Sequence, residues 1–276
     1  MADNYLSEPL DEFFREMSYF NGNLYIANSM IESRSAQIKA DFPAPQRLWE
    51  TGLYYRDVTL HQDADNLFPT GYGYDVGTPT LAEQAIRSIS FICCNTIVSI
   101  YEILDTFLKD VLAKVYVNTE HKPAFKLQME YSDLTAVRSN LWQVKSERGF
   151  FKIIRRISPT YRQYEKRNIN HFSFNDWYNM IELTRHVIVH NRQQATKALE
   201  AELKTKGYWE LFTENFSIDQ YDRSIIISHG QAREILQNFT GFGYLIYKTL
   251  STDLALPYDE APPTYKPLIN VFTPKN

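Results

Sequence analysis

From Thr80 to about Tyr116 a single apolar stripe runs unbroken: Ile86, Ile89, Cys93, Ile97, Ile100, Leu104, Phe107, Val111 and Val115 recur every three or four residues. That spacing keeps one face of an α-helix apolar over its whole length. Phe91, Ile92, Val98, Ile103, Leu108 and Leu112 widen the stripe. A helix so apolar must be covered on most sides, which predicts the central member of a helical bundle. The string Thr80-Leu-Ala-Glu83 has the spacing of a capping box that would open it. Scarce glycine points the same way: ten in 276 residues is well under the usual share of about 7%, leaving few sharp turns for sandwiches, barrels or dinucleotide-binding sheets. The predicted fold is all-α.

Other segments arrange themselves around this helix. Leu10, Phe13, Phe14, Met17, Leu24, Ile26, Ile31 and Ile38 predict one or two opening helices, interrupted around Asn21-Gly22. Between residues 42 and 79 prolines, and three glycines in PTGYGYDVGTP, break the periodicity, which predicts a long irregular insertion, of the kind that is functional or a strap on the bundle. Ser132 to about Ile157 is a second helical stretch. Ser173 caps a third, with Phe174, Trp177, Tyr178, Ile181 and Ile188 on its apolar side. Beyond it RQQATKALEAELKTKG reads as further helix ending at Gly207, Phe212–Phe216 and Arg223–Ile227 leave room for one small hairpin, and Ser228 caps a last helix to about Leu254. Residues 1–255 are expected to form one domain, followed by a Pro-rich extended tail at 256–276.

Cys93 and Cys94 are neighbours, a pairing that disulfide geometry disfavours, and are expected to be reduced core residues. With an N-terminus reading MADNYLSEPLDEFF, no leader pattern is present, and a cytoplasmic protein is expected. The uncharged stretch within the apolar helix, Ser88 to Tyr101, has 14 residues, short of the ~20 a bilayer span needs. No membrane partner is expected.

Charge is unevenly distributed. The chain sums to −4, yet Lys145 to Arg167 holds eight basic residues (Lys145, Arg148, Lys152, Arg155, Arg156, Arg162, Lys166, Arg167) against two acidic ones. Phe150, Phe151, Tyr161 and Tyr164 interleave with them. That combination suits phosphate attraction and stacking on unpaired bases, and it equally suits a solvated helix face with its aromatics turned inward. Arg148, Lys152, Arg155, Arg156 and Arg162 are the RNA-binding candidates.

Phosphate-cradling glycine loops and nucleophile elbows are absent. Polar chemistry concentrates in Glu182, Arg185, His186, His190, Asn191 and Arg192, on one helix and its end. Three readings are open. Glu182 can pair with Arg185 or His186 at three- and four-residue spacing. Glu182, His186 and His190, each four apart, can point along one line as metal ligands. Alternatively, imidazole can move protons near neutral pH while guanidinium stabilises charge on a phosphodiester undergoing attack.

The string Arg185-His186-Val187-Ile188-Val189-His190-Asn191 resembles the signature of the HEPN superfamily, an Arg followed by a polar residue and, a few positions on, by a His, often within "IVHN". Its place late on a helix, after a long apolar helix and before a terminal one, is similar too. The resemblance implies an all-α HEPN-type bundle that pairs as a homodimer, with two copies of the motif in one cleft. It also implies metal-independent RNA cleavage without a cofactor, in toxin–antitoxin or antiviral defence, with a cognate antitoxin or regulatory protein as a further partner. Arg185 and His190 are then catalytic, with Glu182, His186, Asn191 and Arg192 supporting. The second class the resemblance admits is a catalytically silent helical dimer that binds RNA, a nucleotide or a protein. Geometry adds to this: Arg185 and His190 are five steps apart, about 140° around an ideal helix, so a second subunit would converge them better than one rigid helix.

Overall fold

The computed structural model describes residues 4–55, 68–125, 127, 131–141 and 149–258, the side chains of 49–55, 68–69 and 71–75 excepted. The fold is all-α with small β-hairpins. Its helices are α1 (Ser7–Asp41), α2 (Leu81–Asn118), α3 (Leu134–Asn140), α4 (Gly149–Ile157), α5 (Pro159–Tyr164), α6 (Phe174–His190), α7 (Lys197–Thr205), α8 (Trp209–Asn215) and α9 (His229–Asp253). Strands β1 (Arg47–Tyr55) and β2 (Phe68–Gly77) pair antiparallel, as do β3 (Ser217–Ile218) and β4 (Ile225–Ile226).

The chain divides into two compact units, with α1, α2 and α9 each contributing to both. The first comprises residues 1–10, 109–164 and 244–276. In it Asn4 Nδ2 donates to Ser251 Oγ at 2.9 Å, and Asp253 closes the start of α5 by accepting from the Thr160 N–H and hydroxyl and from the Ser158 hydroxyl. Asp110 holds Arg138 at 2.6 Å. Helix α4 buries Phe150, Phe151, Ile153, Ile154 and Ile157 and leaves its basic side chains outward or half-buried.

The second unit comprises residues 11–108 and 165–243. Stacked rings dominate its core: Phe13 on Phe107, Phe174 on Phe242, and Trp177 against Phe172 and Phe239. Gly243 of α9 has no room for a side chain, because a Cβ there would overlap the Phe13 ring, with two further ring atoms at 2.8 and 3.1 Å. Phe13 is buried and held by Phe107, so it cannot swing aside. Gly243→Ala is therefore expected to destabilise by about 1–3 kcal/mol through overpacking, outweighing the ~1 kcal/mol of helix propensity alanine offers. Urea unfolding measures this, and an unchanged or raised midpoint would contradict it.

Several expectations need correction. Helix α1 runs through Asn21-Gly22 without interruption. The stretch at 42–79 is more regular than its prolines suggested, since β1 and β2 occupy most of the described part, with register shifts at Arg47/Trp49 and Gly52/Tyr54. Ile38, Val76, Leu81 and Leu48 pack together and tie this hairpin to the end of α1 and the start of α2. No capping box opens α2: the Thr80 hydroxyl donates to Gly77 O, and Glu83 takes Arg87 instead. In the stretch from Ser132 the described helices are Leu134–Asn140 and Gly149–Ile157, and residues 142–148 lie outside the described ones. Of the further helix expected from Arg192 to Gly207, residues 192–196 form a turn and α7 begins only at Lys197. The expected first hairpin arm, Phe212–Phe216, is mostly α8, and the true arm is Ser217–Ile218. The Pro-rich tail lies outside the described residues beyond Tyr258.

Caps at Ser173 and Ser228 form as expected, accepting from Asp176 N and Gln231 N respectively. Cys93 and Cys94 are free and buried, and burial pushes both thiols up to about 12. Helix α2 is less fully covered than its stripe implied: Ile86 and Phe91 are more than half exposed. By length and composition alone α2 is apolar enough to cross a membrane, and 56% of its most apolar window is buried inside the protein.

Candidate functional site

Helix α6 carries the polar cluster because its other face is fixed. Phe174, Trp177, Tyr178, Ile181, Thr184, Val187 and Ile188 are buried, which turns Glu182, His186, Val189 and His190 outward. Arg185 falls on the border between the two faces, with 26% of its side chain exposed. Its Nη1 donates to Glu102 Oε1 on α2 at 2.6 Å. The guanidinium lies 4.7 Å over the centre of the Tyr101 ring, and Tyr101 in turn stacks on Tyr178 at 4.9 Å. Arg185 Nε is buried with no hydrogen-bond partner among the described residues. Guanidinium suits such a place, since its planar cation can stack on a ring and pair with a carboxylate at once. Burial pushes the Tyr101 and Tyr178 phenols well above their ordinary range, so neither supplies charge here.

The sequence reading paired Glu182 with Arg185 or His186. Arg185 instead takes Glu102, 83 residues away in the chain. Local spacing rules see only neighbours on one helix, so Glu102 and Tyr101 were missed; the one available signal was that Glu102 interrupts the apolar run of α2. His186 and His190, both exposed, lie with ring centres 4.5 Å apart. Among the described residues no group of three or more His, Cys, Asp or Glu is arranged to hold a metal ion, so Glu182, His186 and His190 do not form the ligand set of the metal reading.

Beyond His190 the chain turns sharply. Asn191 caps α6 by donating its N–H to Val187 O at 2.9 Å. Arg192 and Gln193 then adopt left-handed backbone, with φ of 53° and 64°, which costs non-glycine residues about 1–3 kcal/mol each. Cross-links hold the turn against β4 and the residue before it: Ile225 N donates to Gln193 O, Ala195 N to Arg223 O, and Arg223 Nε back to Ala195 O, at 2.8, 2.8 and 3.0 Å. Arg223 also pairs with Glu200. Thr196 then caps α7 by accepting from Leu199 N.

The turn leaves an open pocket of about 440 Å³, bounded by His190, Asn191 and Arg192 and by Asp222 and Arg223, with Gln194, Ala195 and Thr196 completing its lining. Asp222 is fixed and ionised. Ser224 and Arg87 hold its carboxyl down to about 2, Arg87 Nη1 lying 2.7 Å from Oδ2 and the Ser224 N–H 2.9 Å from Oδ1. Arg87 also reaches Glu83 and Asp219, both at 3.1 Å. Arg192 is exposed and makes no ion pair among the described residues. None of these pocket partners except His190, Asn191 and Arg192 stood out in the sequence.

The RNA-binding candidates and this site fall in different compact units. Lys152, Arg155, Arg156 and Arg162 belong to the first compact unit, whereas Arg185 and His190 belong to the second. Arg148 lies outside the described residues. Arg156 Nη1 donates to Ala124 O at 2.9 Å. Phe150, Phe151 and Tyr161 are buried, so of the interleaved aromatics Tyr164 alone is exposed for stacking. No family model, no functionally characterised protein and no solved structure is similar enough to this chain to count as a match, so its function has to be argued from the site itself.

Proposed function

We propose that this chain is a HEPN-like endoribonuclease in which Arg185 and His190 act on RNA at a cleft between two copies. The observation that carries the reading is the divergence of the two side chains on one helix. Arg185 turns to α2, to Tyr101 and Glu102, while His190 opens onto the pocket beyond the helix end. A two-fold contact sets one copy's Arg185 against the other's His190 twice over, without bending either helix. Val189 and Phe91, 48% and 59% exposed on α6 and α2, offer apolar surface for that contact.

In the reaction the ribose 2′-OH attacks the adjacent phosphorus and gives its proton to His190. The bond from phosphorus to the 5′ oxygen breaks, a proton is delivered to that oxygen, and a 2′,3′-cyclic phosphate remains. Arg185 stabilises charge on the phosphorane, and His186 and Asn191 position RNA or His190. The Glu102 contact favours a second reading, a dimer that binds RNA, a nucleotide or a protein without cutting, because the carboxylate already occupies one edge of the guanidinium.

Labelled RNA incubated with the protein in EDTA is expected to be cut, and the same sequence as DNA to stay intact, since it lacks the 2′-OH. Equal cutting of both would reject the mechanism, and cutting that EDTA abolishes and zinc restores would bring back a metal site. An equimolar mixture of Arg185→Ala and His190→Ala chains, each inactive alone, is expected to regain about a quarter of wild-type activity: half the dimers are mixed and each holds one complete cleft. No recovery after subunit exchange, or a monomer by light scattering, would overturn the composite cleft.

A further inference from the structure

We infer that the pocket beyond His190 is a guanosine-nucleotide subsite, in which Arg192 holds the phosphate and Asp222 reads the base. This rests on the proposal that His190 acts on RNA, and it adds which nucleotide lies beside the scissile bond. The space, about 440 Å³, falls within the range of small-ligand sites, ~300–1,000 Å³, and one nucleotide fits it. Its lining residues are polar apart from Ala195, but carbon atoms make up more of the exposed lining than polar atoms do, so apolar contact with the base adds to hydrogen bonds and charge.

Two lining charges are decisive. Arg192 is a cation with no carboxylate partner among the described residues, while the second lining guanidinium, Arg223, is occupied by Glu200 and Ala195 O. An anionic group entering the pocket therefore meets one unneutralised cation, beside an imidazole. Asp222 is the lining anion. An ionised carboxylate has about four lone-pair sites, and Asp222 accepts from Arg87, from the Ser224 N–H and from the Ser224 hydroxyl. The hydroxyl is the one donor of the three that can rotate away, which frees an acceptor direction on each oxygen for a base with two donors. Among the bases guanine alone presents two adjacent donors along one edge, N1–H and the N2 amino group. Adenine and cytosine each place one amino group beside a ring nitrogen whose lone pair a carboxylate repels, and uracil offers a single N–H.

The subsite is also built before any ligand arrives. Three backbone-linked hydrogen bonds tie residues 193–195 to 223–225, and Arg87 clamps Asp222 from α2. A rigid wall of this kind loses little freedom on binding.

Titration of the full-length protein with guanosine 5′-monophosphate, followed by NMR shifts or calorimetry, is expected to show binding at least tenfold tighter than for the adenosine, cytidine and uridine monophosphates. Inosine monophosphate, which lacks the N2 amino group, is expected between guanosine and adenosine. Asp222→Asn is expected to abolish the preference among bases. Arg192→Gln is expected to weaken the monophosphate at least tenfold while leaving unphosphorylated guanosine unchanged. Unfolding midpoints of both variants show whether the turn is intact, and protection of the Ala195 and Ile225 amides checks this independently of binding. Equal binding of all four monophosphates, or no binding at millimolar concentration, would overturn the inference. Oligonucleotides with guanosine or adenosine at each position around the cleavage site separate an RNA subsite from a site for free nucleotide. RNA cutting indifferent to guanosine overturns the subsite and leaves the ribonuclease reading standing. Guanosine monophosphate selectivity in a protein that cuts no RNA does the reverse.

Discussion

Under the proposed mechanism, replacing His190 with alanine is expected to lower RNA cleavage about 10²- to 10⁴-fold, the range a positioned proton-transfer group supplies, while the far-UV spectrum and unfolding midpoint stay unchanged. Stability is spared because His190 is exposed at the last residue of α6 and supports no buried contact. Its neighbour His186, 4.5 Å away between ring centres, is expected to matter less, since a residue that positions RNA shifts KM more than kcat. Arg185→Ala is expected to cost about 10²- to 10³-fold, as the loss of one charge-stabilising donor does, and Arg185→Lys to recover little, because ammonium cannot stack flat on Tyr101 while pairing with Glu102. Single-turnover cleavage of one labelled RNA measures all four variants. If His190→Ala and Arg185→Ala cut as wild type does, the site is elsewhere.

The second large effect concerns the scaffold beneath the site. Trp177 is fully buried on the face of α6 opposite His190, stacked on Phe172 at 5.8 Å and set edge-on to Phe239 at 4.8 Å. Trp177→Ala is expected to cost about 3–5 kcal/mol, through lost ring burial and the cavity left between two aromatic neighbours. For a chain of this size that lowers Tm by about 10 °C or more. Trp177 Nε1 has no hydrogen-bond partner among the described residues, so phenylalanine loses no bond there. Trp177→Phe is therefore expected to cost clearly less than the alanine change. Thermal unfolding of both tests the point, and equal midpoints for alanine and wild type would show that α6 is held by something other than this stack.

The legible parts of the fold were those that depend on neighbours in sequence. The stripe from Ile86 to Val115 determines that α2 is a helix, because periodicity near 3.6 puts those residues on one face whatever lies opposite. Ser173 and Ser228 determine two helix starts, because a hydroxyl beside an open backbone N–H caps it locally. Thr80 did not cap in the same way: its hydroxyl found the Gly77 carbonyl, and Arg87 drew Glu83 away. The hairpin at 47–77 was hidden by its prolines and glycines, which mark turns in most chains and here sit within or beside a bulged ladder.

The candidate site divides along the same line. The sequence alone determined that Arg185, His186 and His190 share one helix and that this helix ends near Asn191. Tertiary structure decided where each side chain goes, because partners distant in the chain compete with neighbours for every charge. Glu102 took Arg185 from Glu182, the 223–225 segment held residues 193–195 as a pocketed turn where further helix was expected, and burial removed three of four aromatics from the basic stretch. The sequence determined the helices that carry the chemistry; the contacts between segments far apart in the chain decided that Arg185 is clamped and that His190 faces an open pocket.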